Sequence, residues 1–334
     1  MSYSITQNFF SPFLMIRLTK QFVRRKKRKI GVIGLGHVGS TVAYTLVTKG
    51  IADELVLIDN NDAKCTAEFY DYMDSLPRLD TSTKILKQNY SDLADADVIV
   101  TSFGDIKALA QGGDRFLEYE FNCKQAKEVG IKLHEVGFKG VLINISNPCD
   151  VITGLLRYYT GLNRRQVFGT GTFLDTARMQ RAVGMALNQN PHNISGYVLG
   201  EHGESQFTAW STVCVQGKPI EELAEEVGLN LGELDNAARG GGWLVFNGKK
   251  YTCYAIATCA VKLVQAVFSD SHLACPASVY VDEFKCYVGY PAIITKAGAE
   301  MAMPLPLSAE EKEKLTASAK MIRTKTEEGK GRQR

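Results

Sequence analysis

The sequence predicts an α/β fold in which an N-terminal parallel sheet is followed by an α+β domain with antiparallel strands. In the first half of the chain, short apolar runs rich in β-branched residues alternate with helical patterns, which is typical of βαβ units. A glycine-rich turn joins the first of these runs to the following helix. After about residue 171, segments with alternating polar and apolar residues indicate antiparallel strands.

The first half contains four predicted buried strands, which are joined by helices. The strands cover residues 29–34, 55–59, 97–102 and 140–146. The helices cover residues 38–49, about 62–76 and 114–136. Pro77 ends the second helix, because proline cannot continue a helical hydrogen-bond pattern. A parallel sheet with right-handed crossovers follows from this order.

The second half has a different texture. Predicted helices cover residues 173–187, about 254–268 and a polar segment from about 308. Predicted strands cover residues 194–199 and 207–215. We therefore divide the chain into a nucleotide-binding domain over residues 29–169 and a catalytic domain over residues 170–334, preceded by residues 1–28.

The net charge of +3 conceals an uneven distribution along the 334 residues. Of the 39 basic side chains, eight fall in the first 29 residues, which contain no acid. The other 31 are outnumbered by 36 acidic side chains, so this larger part lacks the basic character that nucleic-acid binding requires. We interpret residues 1–28 as a basic, disordered extension; a transit peptide, or a misassigned start with Met15 as the first residue, is the alternative.

Membrane proteins and zinc proteins are also disfavoured. No apolar run approaches the roughly 20 residues that a membrane-spanning helix needs. The eight cysteines form no CxxC pair, and the five histidines do not cluster with them at zinc-ligand spacings. We expect reduced thiols, no bound metal, no membrane partner and a cytoplasmic location.

The glycine-rich turn has the spacing of a dinucleotide-binding motif. Gly34, Gly36 and Gly39 form GxGxxG between a predicted strand and a predicted helix, and Asp59 ends the next strand 20 residues later. In such a Rossmann domain the first glycine permits a tight turn, the second admits pyrophosphate and the third allows close helix packing. Asp59 can accept hydrogen bonds from ribose hydroxyls and would repel a 2′-phosphate. NAD is therefore favoured over NADP, and a purely structural turn is the alternative.

A second group of residues indicates acid–base chemistry. His202 follows a strand-like segment, while Asp175 and Arg178 share one face of the helix predicted over residues 173–187. That face is otherwise apolar, and charges are rarely buried without partners. A functional site is therefore favoured over a surface ion pair, although a buried pair that only braces the fold remains open.

Together these motifs resemble the lactate/malate dehydrogenase family. The similarity lies in GLGHVG, SNP at residues 146–148, GTGTFLDTAR at 169–178 and LGEHG at 199–203. GDRF and GYPAII indicate its L-2-hydroxyisocaproate and L-lactate dehydrogenase branch, and the resemblance covers about residues 29–307. It implies an NAD-dependent enzyme that interconverts 2-oxo and 2-hydroxy acids, and a homodimer or homotetramer by analogy.

The resemblance also implies a role for each site residue. His202 would be the acid/base, Asp175 would hold its imidazole and favour the protonated form, and Arg178 would clamp the substrate carboxylate. Arg115 would polarise the substrate carbonyl once its loop closes, Asn147 would hydrogen-bond the substrate oxygen, and Thr252 would line the site.

Residues 104–113, the predicted substrate loop, favour a monocarboxylic substrate. Malate-type members of the family carry an arginine in this loop for the second carboxylate, whereas here it contains none, and Lys107 is its only basic residue. Three glycines at 240–242 remove side-chain bulk near the expected site. We expect branched or aromatic 2-oxo acids such as 2-oxoisocaproate to be accepted. L-lactate dehydrogenase proper is the alternative, then malate dehydrogenase, and a non-enzymatic NADH sensor is the least favoured.

Overall fold

The computed structural model describes residues 26–104 and 115–331. Its strands are β1 (Lys29–Ile33), β2 (Glu54–Ile58), β3 (Lys84–Lys87), β4 (Val98–Thr101), β5 (Val141–Asn144), β6 (Val167–Gly169), β7 (Ile194–Leu199), β8 (Phe207–Val215), β9 (Lys218–Pro219), β10 (Leu273–Val281), β11 (Cys286–Thr295) and β12 (Gly298–Met301). Its α-helices are α1 (His37–Thr48), α2 (Asp62–Ser75), α3 (Arg115–Glu135), α4 (Cys149–Thr160), α5 (Phe173–Leu187), α6 (Ile220–Val227), α7 (Leu231–Lys249), α8 (Tyr254–Ser269) and α9 (Ala309–Gly331).

The predicted parallel sheet is confirmed. Six strands pair in parallel in the order β3-β2-β1-β4-β5-β6, which is the order of a doubly wound nucleotide-binding sheet. The interior of β1, β2, β4 and β5 is buried by helices on both faces, which explains why these strands are continuous apolar runs. Strands β3 and β6 were not predicted, since one has polar ends and the other is only three residues long.

The sheet continues across the predicted domain boundary at residue 169. Within the described residues, β10, β11 and β12 extend it to nine strands, and β10 joins β6 in an antiparallel pairing of Ser278 with Gly169. These three strands were not predicted from the sequence. Pro276 and Pro291 lie opposite each other in β10 and β11, and prolines within a run argue against a central strand.

The predicted antiparallel part is also confirmed. Strands β7 and β8 have the bounds predicted from their alternation, and they form a small sheet with β9. Helix α5 packs on this sheet through a separate apolar cluster that includes Met179, Val183 and Val198. One end of α5 is thereby fixed against β7, the strand that leads directly to His202.

The last residues of the predicted extension contact the parallel sheet. Residues 1–25 lie outside the described part of the chain. Arg28 hydrogen-bonds Asp53 through its main chain and its guanidinium, and Lys26 pairs with Asp97. Residues 26–28 thus contact residues at the amino ends of β2 and β4.

No single helix among the described residues is both long enough and apolar enough to cross a membrane. Helices α7 and α8 meet both requirements only as a pair bent by 117°.

Candidate active site

The glycine-rich turn has the geometry that its spacing predicts. Gly34 has φ of +91°, which favours glycine, and a Cβ on it would lie 2.5 Å from the carbonyl oxygen of Ser102. A Cβ on Gly39 would lie 1.8 Å from the carbonyl oxygen of Gly34, so the helix can approach the strand only without a side chain there. A Cβ on Gly36 would meet open space. The first and third glycines are therefore needed for packing, while the second faces a free volume.

Asp59 follows β2 and lies beside this turn. Its carboxylate accepts hydrogen bonds from the main-chain N–H of Leu35, at 2.6 Å, and of Asn61, at 2.8 Å. The side chain is half-buried, and each oxygen retains a lone pair for a further donor. Asp59 therefore stabilises the glycine turn and can also accept hydrogen bonds from a sugar.

A cleft of about 330 Å³ opens at the carboxyl ends of the parallel strands. Its walls include Gly34, Gly36, Asp59, Ser102 and Gly104. The open side of Gly36, the free N-terminus of α1 and the carboxylate of Asp59 match the pyrophosphate and adenine ribose of a dinucleotide. The residues present therefore fit NAD.

The three residues predicted for acid–base chemistry come together. The side chain of Asp175 is only 4% exposed. One of its carboxylate oxygens lies 2.5 Å from Nδ1 of His202. The other accepts a hydrogen bond from Nη1 of Arg178 at 2.9 Å. The side chains of His202 and Arg178 remain 23% and 22% exposed. A nearly buried carboxylate therefore orients two groups whose other nitrogens can reach a ligand.

The charges of this group control its protonation. The negative charge of Asp175 raises the pKa of His202 despite partial burial, which acts in the opposite direction. Burial acts to raise the pKa of Asp175, but the charges and hydrogen bonds of His202 and Arg178 outweigh it and lower that pKa. The arrangement thus favours an imidazolium next to an ionised carboxylate.

The loop that carries His202 is fixed from helix α9. The main-chain N–H of Glu201 donates to Oγ of Ser318 at 2.8 Å, and Ser318 also contacts Oγ of Ser205. Glu201 and Ser318 are both buried, so the hydrogen bond that holds the loop is shielded from solvent.

Asn147 and Thr252 lie in two different segments of the chain, one before α4 and the other between α7 and α8. Asn147 is exposed just before α4. Its main-chain carbonyl oxygen accepts a 2.7 Å hydrogen bond from the side-chain amide of Asn122, a buried residue of α3. Thr252 is half-buried between α7 and α8, next to Tyr251, whose ring stacks on His37 with centroids 3.8 Å apart. This stack joins the segment of Thr252 to the first residue of α1, and it was not predicted from the sequence.

Arg115 is the first residue of α3, and its side chain lies outside the described part. The same is true of residues 105–114, which include most of the predicted substrate loop. The roles predicted for Arg115 and for this loop therefore remain predictions.

The three glycines at 240–242 lie inside helix α7. A Cβ on Gly242 would lie 3.1 Å from the guanidinium of Arg178, and a Cβ on Gly241 would lie 2.3 Å from that of Arg181. A Cβ on Gly240 would meet open space. The absence of a side chain at Gly242 thus gives Arg178 its room.

Comparisons with known proteins place the chain in a family. The family models described as lactate/malate dehydrogenase, NAD binding domain, and lactate/malate dehydrogenase, alpha/beta C-terminal domain, match residues 28–169 and 172–333. L-lactate dehydrogenase 3 of Bacillus anthracis and L-lactate dehydrogenase 1 of Bifidobacterium longum are each 34% identical over 310 residues, with 90% of this chain and 98% of the relative covered.

Solved structures of lactate dehydrogenases are also similar to this chain. The ligand-bound minor L-lactate dehydrogenase of Enterococcus mundtii superposes with a TM-score of 0.86 at 29% identity, covering 91% of this chain and 98% of that one. A lactate dehydrogenase from a Medee basin deep-sea metagenome library gives 0.85 at 29% identity, covering 92% and 100%.

Proposed function

We propose that this chain, which belongs to the lactate/malate dehydrogenase family, is an L-2-hydroxyacid dehydrogenase that reduces 2-oxoisocaproate-like acids or pyruvate with His202 as proton donor. At the level of the family it is an NAD-dependent oxidoreductase that acts on CH–OH groups. The observation that carries the proposal is the buried carboxylate of Asp175, which holds both His202 and Arg178.

The chemistry follows from which atoms remain free. Since Nδ1 of His202 faces Asp175, Nε2 is the atom that delivers a proton to the substrate carbonyl oxygen and takes it back in the reverse reaction. The nitrogens of Arg178 not used by Asp175 bind the substrate carboxylate. When bound at the glycine turn and Asp59, NADH would supply the hydride for the carbonyl carbon. Arg115, Asn147 and Thr252 are assigned to polarising the carbonyl, binding its oxygen and lining the site.

The simplest test is a substrate panel with NADH, followed through the loss of absorbance at 340 nm. We expect kcat/KM for 2-oxoisocaproate to be at least comparable to that for pyruvate, because glycines 240–242 leave room beside Arg178. Oxaloacetate should be poor, because a second carboxylate without a partner is costly to bury. A preference for pyruvate beyond about tenfold, about 1.4 kcal/mol, would instead indicate L-lactate dehydrogenase proper, the function named for the relatives.

The remaining alternatives give other outcomes of the same panel. A malate dehydrogenase would turn over oxaloacetate fastest, and a protein that only senses NADH would bind it without loss of absorbance. The Asp175–His202 contact argues against a sensor, because binding alone does not require an acid/base.

A second prediction concerns Gly242. We expect Gly242→Ala to raise KM for 2-oxoisocaproate by about fivefold, roughly 1 kcal/mol, because the new methyl group would press on the guanidinium of Arg178. Gly240→Ala is the matched control, because it adds the same methyl group to the same helix in open space. Steady-state kinetics at saturating NADH measure KM for both variants. Equal KM values for the two variants would contradict contact between Gly242 and the substrate site.

We also propose that the enzyme acts in the cytoplasm as a homodimer or homotetramer. Its partner is a small 2-oxo or 2-hydroxy acid. Light scattering of the purified protein measures the assembly, and a monomeric mass at micromolar concentration would contradict it.

A further inference from the structure

A second carboxylate, that of Asp150, contacts the segment of His202. Asp150 is the second residue of α4 and is 1% exposed. One of its oxygens accepts the main-chain N–H of His202 at 2.9 Å, and the other accepts Oγ of Ser278 at 2.6 Å. Neither the sequence motifs nor the proton transfer described above uses this residue.

The position of Asp150 links three separate parts of the chain. Helix α4 follows β5 and Asn147, Ser278 belongs to β10, and His202 follows β7. Ser278 is also the residue at which β10 pairs with β6. One buried carboxylate therefore fixes the His202 loop to the junction between the parallel and antiparallel strands.

Burial of an acid here has an electrostatic consequence. Burial raises the pKa of Asp150 to about 6, against the opposing effect of its hydrogen bonds from Ser278 and His202. Above that pH the group is an anion, and it adds to the effect of Asp175 in raising the pKa of His202. The positive charge of Arg178 acts to lower the pKa of His202. The negative charge of Glu201 acts to raise the pKa of Asp150.

We propose that Asp150 is a positioning residue for the proton transfer of His202: it holds the main chain of the catalytic loop and supplies a second negative charge that favours the imidazolium. The proposal rests on the proposed role of His202 as proton donor. It assigns to Asp150 a function beyond fixing the start of a helix.

Asp150→Asn separates charge from position. Asparagine retains an oxygen that can accept the N–H of His202, whereas the charge is lost. The measurement is an NMR titration of ¹³C-labelled histidine in the full chain, in which His202→Asn identifies the signal. We expect the pKa of His202 to fall by about 0.5–1 unit. The upper pH limit of 2-oxo acid reduction should fall with it, while KM changes less than about twofold. Asp282→Asn is the matched control, because this exposed carboxylate pairs with Arg164 on the surface.

The outcomes distinguish the two proposals, because the titration requires no turnover. An unchanged pKa of His202 in a folded Asp150→Asn variant would overturn the role of Asp150. Wild-type protein that reduces no 2-oxo acid would contradict the proposed function and leave the titration result standing. If circular dichroism shows that Asp150→Asn does not fold, Ser278→Ala is measured in its place. This variant removes the hydrogen bond that Ser278 donates to Asp150, so the negative charge of Asp150 is less stabilised. A smaller shift in the same direction supports the proposal, and none overturns it.

Discussion

We expect His202→Asn to reduce kcat for 2-oxo acid reduction by about 10³-fold, because a positioned general acid contributes about 10²–10⁴-fold. The side-chain amide of asparagine can still donate a hydrogen bond to Asp175, but it is not an acid near neutral pH and cannot transfer a proton to the substrate. NADH affinity should not change, since the glycine turn and Asp59 are formed without His202. Absorbance at 340 nm measures turnover, and the fluorescence of bound NADH measures affinity.

The control for this variant is His192→Asn. His192 is exposed, and its ring contacts only the side chain of Asn190 among the described hydrogen bonds. We expect kcat within about twofold of wild type. If His202→Asn kept a tenth or more of the wild-type rate, another group would have to be the proton donor.

The same histidine sets the pH dependence of the wild-type enzyme. Reduction requires the imidazolium, and the pKa of His202 is raised above its ordinary value. The rate of reduction should therefore persist to a pH above that ordinary value and then decline. Oxidation of the 2-hydroxy acid requires the neutral imidazole, so it should rise over the same interval. The rates of reduction and of oxidation, each measured as a function of pH, test this prediction.

Local rules explain which parts of the site the sequence could predict. The roles of Gly34 and Gly39 follow from backbone sterics within one strand–turn–helix unit, so spacing alone predicts them. The Asp175–Arg178 pair follows from helix periodicity. The contact of Asp175 with His202 joins residues 27 apart, and only the family resemblance anticipated it.

Other features depend on tertiary contacts that have no local signal. In the structure, Asp150 lies in the first turn of helix α4, where a negative charge is ordinary, and this helix was not predicted from the sequence. Its partners His202 and Ser278 are 52 and 128 residues away. Glycines 240–242 were predicted to lie near the site, but their place inside a helix was not foreseen, because glycine disfavours helix interiors.

Arg178→Lys should have the largest effect on substrate binding. A lysine ammonium cannot make the two parallel hydrogen bonds that a guanidinium offers a carboxylate, and Asp175 would compete for the one that remains. Loss of one charge-assisted hydrogen bond costs about 2 kcal/mol, which corresponds to a KM about 30-fold higher for any 2-oxo acid. The loss should be similar for pyruvate and 2-oxoisocaproate, because both present the same carboxylate.

Arg181→Lys is the matched control for that change. Arg181 lies one turn further along α5 and also faces the glycines of α7, but its partners are Met185 and the carbonyl oxygen of Ala237. Its variant should alter KM by less than about twofold, because it loses no bond to an ionised group. Equal effects of the two substitutions would show that α5 and α7 shift as a unit, and Arg178 would lose its assignment as the carboxylate-binding residue.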